Sequence, residues 1–129
     1  MSSLSNFLKG ISLFSICTGT ADVLLGASSV YNFSGHPFPV NSPAAVFIDS
    51  QLRFLGGMWA GWGVMMWWAS NDLRSRRTPL ALLGGIMAFS GTGRVISGLK
   101  HGFGSKVVAA AAAVELLVPA AIWLFSDWQ

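Results

Sequence analysis

Four apolar stretches, at about residues 7–25, 52–69, 79–98 and 107–125, take up most of this 129-residue chain. A bilayer-crossing helix needs roughly 20 such residues, so each stretch is long enough to span. Backbone amides cannot be left unpaired in hydrocarbon, which restricts spanning segments of this kind to helices. The chain is therefore expected to be an all-α membrane protein, an up-and-down bundle of four transmembrane helices forming one domain over residues 1–129. Each stretch also carries one charge: Asp22, Arg53, Arg94 and Glu115. An unpaired charge near the bilayer centre costs about 2.5–3.5 kcal/mol or more, so four in so short a chain require a reason.

The composition agrees, with 53% hydrophobic residues and 10% charged, against about 25% charged in an average soluble domain. The net charge of +3 does not mark a nucleic-acid binder, because the basic residues are scattered. Three of them, Arg74, Arg76 and Arg77, form the basic joint expected on the cytoplasmic side of a membrane protein. The lone Cys17 has no disulfide partner in the sequence and is read as a small packing hydrophobe. Lys9 before an apolar run ending in Gly26-Ala27-Ser28-Ser29 is compatible with a signal peptide. Asp22 and the three later spans argue against cleavage.

The joints set the topology. Residues 70–78 and 99–106 are short, polar or glycine-containing, and they turn spans two to three and three to four into antiparallel hairpins. Residues 26–51 form a longer connection. It is broken by Pro37, Pro39 and Pro43 and enriched in Tyr31, Phe33, Phe38 and Phe47. It reads as an interfacial loop or a lid on the membrane surface, with a short helix near 44–50 leading into the second span. Lys9 and the three arginines on one side outnumber Lys100 and Lys106 on the other, which puts both termini in the cytoplasm. Trp67, Trp68, Trp123 and Trp128 then fall at the cytoplasmic interface, where indoles anchor helices. Trp59 and Trp62 lie deeper. Helix contacts are expected at small residues: the GxxxG of Gly57 and Gly61, the cluster Gly84, Gly85, Gly91 and Gly93, and the run Ala109–Ala113.

In this topology Asp22, Arg53, Arg94 and Glu115 share the non-cytoplasmic half of the membrane. Ser15, Thr18 and Asp22 follow helical spacing on span one, as do Ser90, Arg94, Ser97 and His101 on span three. Asp49 and Arg53 are spaced i,i+4, with Gln51 directed elsewhere. Pro119 has no amide proton, so the carbonyl of Glu115 loses its helical partner and a kink is expected there. Two arginines and two acids can simply satisfy one another and fix helix register. Alternatively, a deep acid beside a cation is the apparatus of proton transfer, and Glu115 is the deepest of the four. His36 and His101 lack the spacing of a metal site, so no metal is expected, and His101 reads as an interface residue or proton relay. With no phosphate loop, dinucleotide fingerprint or CxxC, no cofactor is expected either.

At these residues the chain resembles a bacterial and fungal family of small four-helix membrane proteins known mainly as a domain of unknown function. The resemblance covers nearly the whole chain. It rests on G-T-A-D-V-L-L-G at Gly19–Gly26, S-Q-L-R-F-L-G-G at Ser50–Gly57, G-R at Gly93–Arg94 and V-E-L-L at Val114–Leu117. An acidic residue often stands at the place of Gln51 in that family, so this chain departs there and Asp49 can take over the work. The resemblance implies the fold and is nearly silent on activity.

Two functions remain open. One is an intramembrane enzyme, an isomerase or terpenoid-type cyclase acting on a small lipophilic substrate by acid–base chemistry. Glu115 and Asp22 would be its acids or bases, with Arg53 and Arg94 holding them or stabilising negative charge. Trp59, Trp62, Asp49, Gln51 and His101 would contact substrate, with indole faces suited to cationic intermediates. The other is a non-catalytic accessory or lipid- or small-molecule-binding protein whose charges are structural. In both, the partners are the bilayer and a small lipophilic molecule rather than nucleic acid. A proton or ion pathway is disfavoured because the cytoplasmic half lacks a polar stripe, and four spans could line a pore only as a homo-oligomer.

Overall fold

The computed structural model describes residues 3–30, 34–36 and 42–125. Its elements are α1 (Ser3–Leu25), a 3-10 turn (Gly26–Ser29), α2 (Pro43–Ser70), α3 (Arg77–His101) and α4 (Lys106–Phe125). The described residues are all-helical or in turns. Of the expected aromatic lid, Tyr31, Phe33, Pro37, Phe38 and Pro39 lie outside the described residues, as does Trp128. The short helix expected near 44–50 is the first part of an unbroken 28-residue α2. Ser42 starts it, its hydroxyl accepting the Ala45 amide at 3.2 Å, and Pro43 fills the first helical position, where no amide is needed.

Three segments, Ser3–Ser29, Arg77–His101 and Lys106–Leu124, are long and apolar enough to cross a membrane. The fourth expected span, α2, has the length but falls short in hydropathy, so three of the four helices meet both conditions. Four tryptophans and four glycines fall within Gly56–Trp68, behind Asp49, Gln51 and Arg53. Glycine and the indole N–H both lower the apolar character of a helix that is otherwise rich in Leu, Met and Val.

The chain folds as two compact units, Phe7–Trp67 and the remainder. In the first, α1 runs antiparallel to α2 at very short range. A Cβ on Gly19 would lie 2.5 Å from the Gly56 carbonyl oxygen, and one on Gly63 would lie 2.8 Å from the Ser12 carbonyl oxygen. Neither position can carry a side chain without moving a backbone. The α1 seam repeats at alternating intervals of three and four: Ser5, Leu8, Ser12, Ser15, Gly19, Gly26 and Ser29 are buried and Asp22 is half-buried. This is the spacing of a coiled-coil seam, built from small residues, as membrane helices need. Cys17, expected to pack, is instead exposed off this seam.

In the second unit α3 and α4 form the other antiparallel pair. Gly84 faces Pro119 and Ile122, while Gly91 faces Glu115 and Leu116. The helix α4 continues through Pro119, which is fully buried. Gly102, at φ 79°, ends α3, and the Phe103 ring folds back onto Gly98. At the start of the chain Ser5 donates to the Ser70 carbonyl at 2.7 Å, giving a partner to one of the carbonyls that the end of α2 leaves without a helical amide.

Of the glycines expected to mark contacts, Gly84 and Gly91 do so, whereas Gly61, Gly85 and Gly93 face open space and Gly57 only grazes Val23; the contacts of α2 fall instead on Gly56 and Gly63, again seven residues apart. Replacing Gly19 or Gly63 with Ala is expected to cost about 1–3 kcal/mol through overpacking, and Gly61→Ala close to nothing. Reversible unfolding in detergent would measure this, and equal costs at the three positions would contradict the assigned seam.

Candidate functional site

The sequence left Arg53 with two acids within reach, and the structure pairs it with Asp49. Its Nε donates to Asp49 Oδ2 at 2.8 Å and its Nη2 to Asp49 Oδ1 at 3.3 Å. Its Nη1 then reaches across to α1, donating to the Val23 carbonyl at 2.7 Å and the Leu24 carbonyl at 3.1 Å. These are two of the carbonyls that the end of a helix leaves without amide partners, and a cation there also complements the helix dipole. Gly26 terminates α1 with φ 55°, turning the chain so that the Ala27 amide donates to Asp49 Oδ1 at 2.8 Å. The Arg53 side chain, and then the Ala27 amide, hold the Asp49 carboxyl below the usual carboxylate range. The i,i+4 pair is therefore a cap on the neighbouring helix.

Asp22 lies one turn back on the α1 seam, its Cβ against Gly56. It is half-buried and makes no ion pair among the described residues. Nearby, the polar stripe of α1 is used to hold α2. Ser15 donates to the Trp59 carbonyl at 2.6 Å, and the Trp59 indole N–H donates to Thr18 Oγ1 at 3.0 Å. The Trp59 and Trp62 rings stack on each other with centroids 4.9 Å apart, and Trp62 is buried. Gln51 is exposed.

In the other unit Arg94 pairs with Glu115. Its Nε lies 2.9 Å from both carboxylate oxygens. Glu115 is buried, whereas the Arg94 side chain is 44% exposed. Gly91 makes room for this acid, since a Cβ there would lie 3.0 Å from the Glu115 Cβ. His101, the last residue of α3, is exposed. The sequence-predicted acids and cations thus separate into Asp49–Arg53 in one unit and Arg94–Glu115 in the other, with Asp22 outside both pairs.

The sequence reading missed the capping of α1 by Arg53 and the hydroxyl contacts of Ser15 and Thr18 with Trp59. The seven-residue repeat from Ser5 to Ser29 was the signal that could have revealed the second. At the opposite end of the first pair, the Lys9 ammonium lies 5.7 Å from the Trp67 ring centre. In the other unit Arg76 covers Trp68 at 4.3 Å. Both are cation–π contacts of the kind expected of tryptophans near a membrane surface.

Over residues 4–126 the chain matches the family described as a domain of unknown function, DUF4345. The chain belongs to the DUF4345 family. Neither the curated proteins nor the solved structures contain a match to it. Membership agrees with the resemblance read from the motifs and assigns no activity. The motif positions of this DUF4345 chain nevertheless have physical roles: Gly19 and Gly56 form the closest helix contact, Gly26 turns the α1 terminus, and Arg53, Arg94 and Glu115 make the pairs.

The burial asymmetry gives a directional prediction. Arg94→Gln strands a buried carboxylate and should cost about 3 kcal/mol. Glu115→Gln leaves a guanidinium already open to its surroundings and should cost about 1 kcal/mol. The double variant should resemble the second rather than the sum. A double-mutant cycle on unfolding in detergent reads the coupling directly, and strict additivity would mean the two side chains do not act as a pair.

Proposed function

We propose that this DUF4345 protein is an integral membrane protein of four crossing helices whose paired charges are structural. In this reading it serves as a non-catalytic accessory or small-molecule-binding component of its membrane. The carrying observation is that Arg53 is bonded on three sides, to Asp49, Val23 and Leu24, so its charge is used in closing α1. The Arg94–Glu115 pair supports the same reading, since each acid named above except Asp22 has its own guanidinium.

Crossing by α2 is supported by pairing rather than by hydropathy. Contacts between α1 and α2 run from Ser12–Gly63 to Ala27–Asp49, along nearly the length of an α1 apolar enough to span. A helix lying flat on the surface could not follow its partner through the bilayer. The charges of Lys9, Arg74, Arg76 and Arg77 support a reading with both termini on the cytoplasmic side and Lys100 and Lys106 opposite. In a Cys17→Ser background, Ser75→Cys should be labelled only by a reagent that enters the cytoplasm. Ser28→Cys and Ser105→Cys should be labelled from outside. Labelling of Ser28→Cys and Ser75→Cys from the same side would remove α2 from the membrane.

One observation favours the catalytic reading, and it concerns Asp22 more than Glu115. Asp22 is half-buried between helices and without an ion pair among the described residues, as a working acid or base would be. In that reading Arg53 and Arg94 stabilise charge, Glu115 assists, and the substrate is a small lipophilic molecule undergoing isomerisation or cyclisation. Comparing lipid extracts of a deletion strain and a complemented strain tests the choice. The structural reading expects no species that accumulates on deletion and is converted to an isomer by the purified protein. Such a conversion, lost in an Asp22→Asn variant that remains folded, would establish catalysis instead.

A further inference from the structure

Arg94 is only partly used by its partner. Glu115 takes the Nε–H, and neither Nη group bonds to any described residue, so four charged N–H donors project from a side chain that is 44% exposed. In hydrocarbon such donors need an acceptor, and a guanidinium near a helix end reaches towards the interface to find one. The residues on the same face are Ser90, Ser97 and His101, spaced at three and four from Arg94 and all exposed. Among the described residues neither serine hydroxyl has a hydrogen bond, unlike that of Thr92, which donates to the Ala88 carbonyl at 2.8 Å. The end of this face lies about 10 Å from Arg94, seven residues on. There Lys100 lies in the last turn of α3 and Lys106 opens α4 across the tight Gly102–Ser105 turn.

We infer that the α3–α4 end of the protein holds the phosphate of an anionic phospholipid, with the Arg94 Nη groups as its fork and Ser97 and His101 beside it. The inference rests on the membrane reading above and names a ligand class for it. Charge selects the lipid: Arg94, Lys100 and Lys106 against Glu115 leave this end at a net +2, so a headgroup with net negative charge is preferred over a zwitterionic one. The planar guanidinium fork fits two phosphate oxygens at once, and a lysine in its place does not. Glu115 has a defined part in this. By fixing Nε it holds the fork in one orientation and leaves the outer edge free. The negative end of α3 and the positive end of α4 meet at the turn and offset one another, so the side chains decide.

The test is native mass spectrometry of the full chain in detergent, titrated separately with dioleoyl phosphatidylglycerol and dioleoyl phosphatidylcholine. The first phosphatidylglycerol is expected to bind on the order of tenfold tighter than phosphatidylcholine. Arg94→Lys keeps a cation for Glu115 but removes the fork, and it should lose roughly that tenfold. Its unfolding midpoint without lipid should stay near wild type, which separates lost binding from lost fold. Lys100→Gln/Lys106→Gln should weaken binding less than Arg94→Lys. Equal affinity for the two lipids, or full retention in Arg94→Lys, overturns the proposal. So does displacement of phosphatidylglycerol by millimolar inorganic phosphate, which would make this a free-anion site. Release of the protein from membranes by an alkaline carbonate wash would instead defeat the membrane reading, independently of the lipid result.

Discussion

A helix in hydrocarbon gains almost nothing by burying leucine against leucine, because the lipid tails it leaves are just as apolar. Close backbone approach is what remains, and this chain depends on it. Gly19, Gly56 and Gly63 allow α1 and α2 to meet where a single Cβ would collide with a carbonyl oxygen or an amide nitrogen. At that range hydroxyls and indoles on one helix reach acceptors on the other, which is why Ser15 and Thr18 can hold Trp59 from both its backbone and its ring. Gly91 does the same for the second pair by making space for Glu115 beside α3. The polar contacts are consequences of the small seam.

Polar groups in such a structure face a second constraint, that every donor and acceptor at membrane depth needs a partner. Arg53 shows how one side chain meets several needs. It neutralises Asp49, supplies donors to two carbonyls at the end of α1, and through Asp49 engages the Ala27 amide just past that end. A lysine at this place would offer charge without the geometry to reach three groups in a plane. Arg94 obeys the same rule incompletely, and its unused donors are what points outward to lipid.

Much of this was legible from residue order. The apolar runs gave the number and place of the long helices, since 7–25, 52–69, 79–98 and 107–125 all lie inside observed helices, but not every limit: α2 begins at Pro43, nine residues before its apolar run. The i,i+4 spacing of Asp49 and Arg53 is local and survived folding unchanged. The Arg94–Glu115 pair followed from hairpin topology, because a short joint forces the end of α3 beside the start of α4. Which glycines touch was not legible. Gly56 and Gly57 are adjacent in sequence, and only the rotation of α2 against α1 decides that Gly56 and Gly63 face the partner while the GxxxG of Gly57 and Gly61 turns away. The heptad from Ser5 to Ser29 would have given that rotation, but serines at seam positions look polar to a reader searching for apolar periodicity. The low hydropathy of α2 has a related cause. The tryptophans and glycines that let α2 pack against α1 are the residues that depress its hydropathy.

The contrast between the two acids outside the cap bears on what such a fold can do. Glu115 is buried and held by a cation from the facing helix, and a proton transferred to or from it would have to break that pair at a cost set by low dielectric. Asp22 has no such bond to lose among the described residues, and it sits at a seam position where the repeat otherwise places Ser, Gly or Leu. A carboxylate at that point does not tighten the helix contact, since Gly56 must give it room. Of the four charges that first distinguished the sequence, three are accounted for by capping and pairing. Asp22 is the one that neither capping nor pairing accounts for among the described residues, which is why the catalytic alternative rests on it.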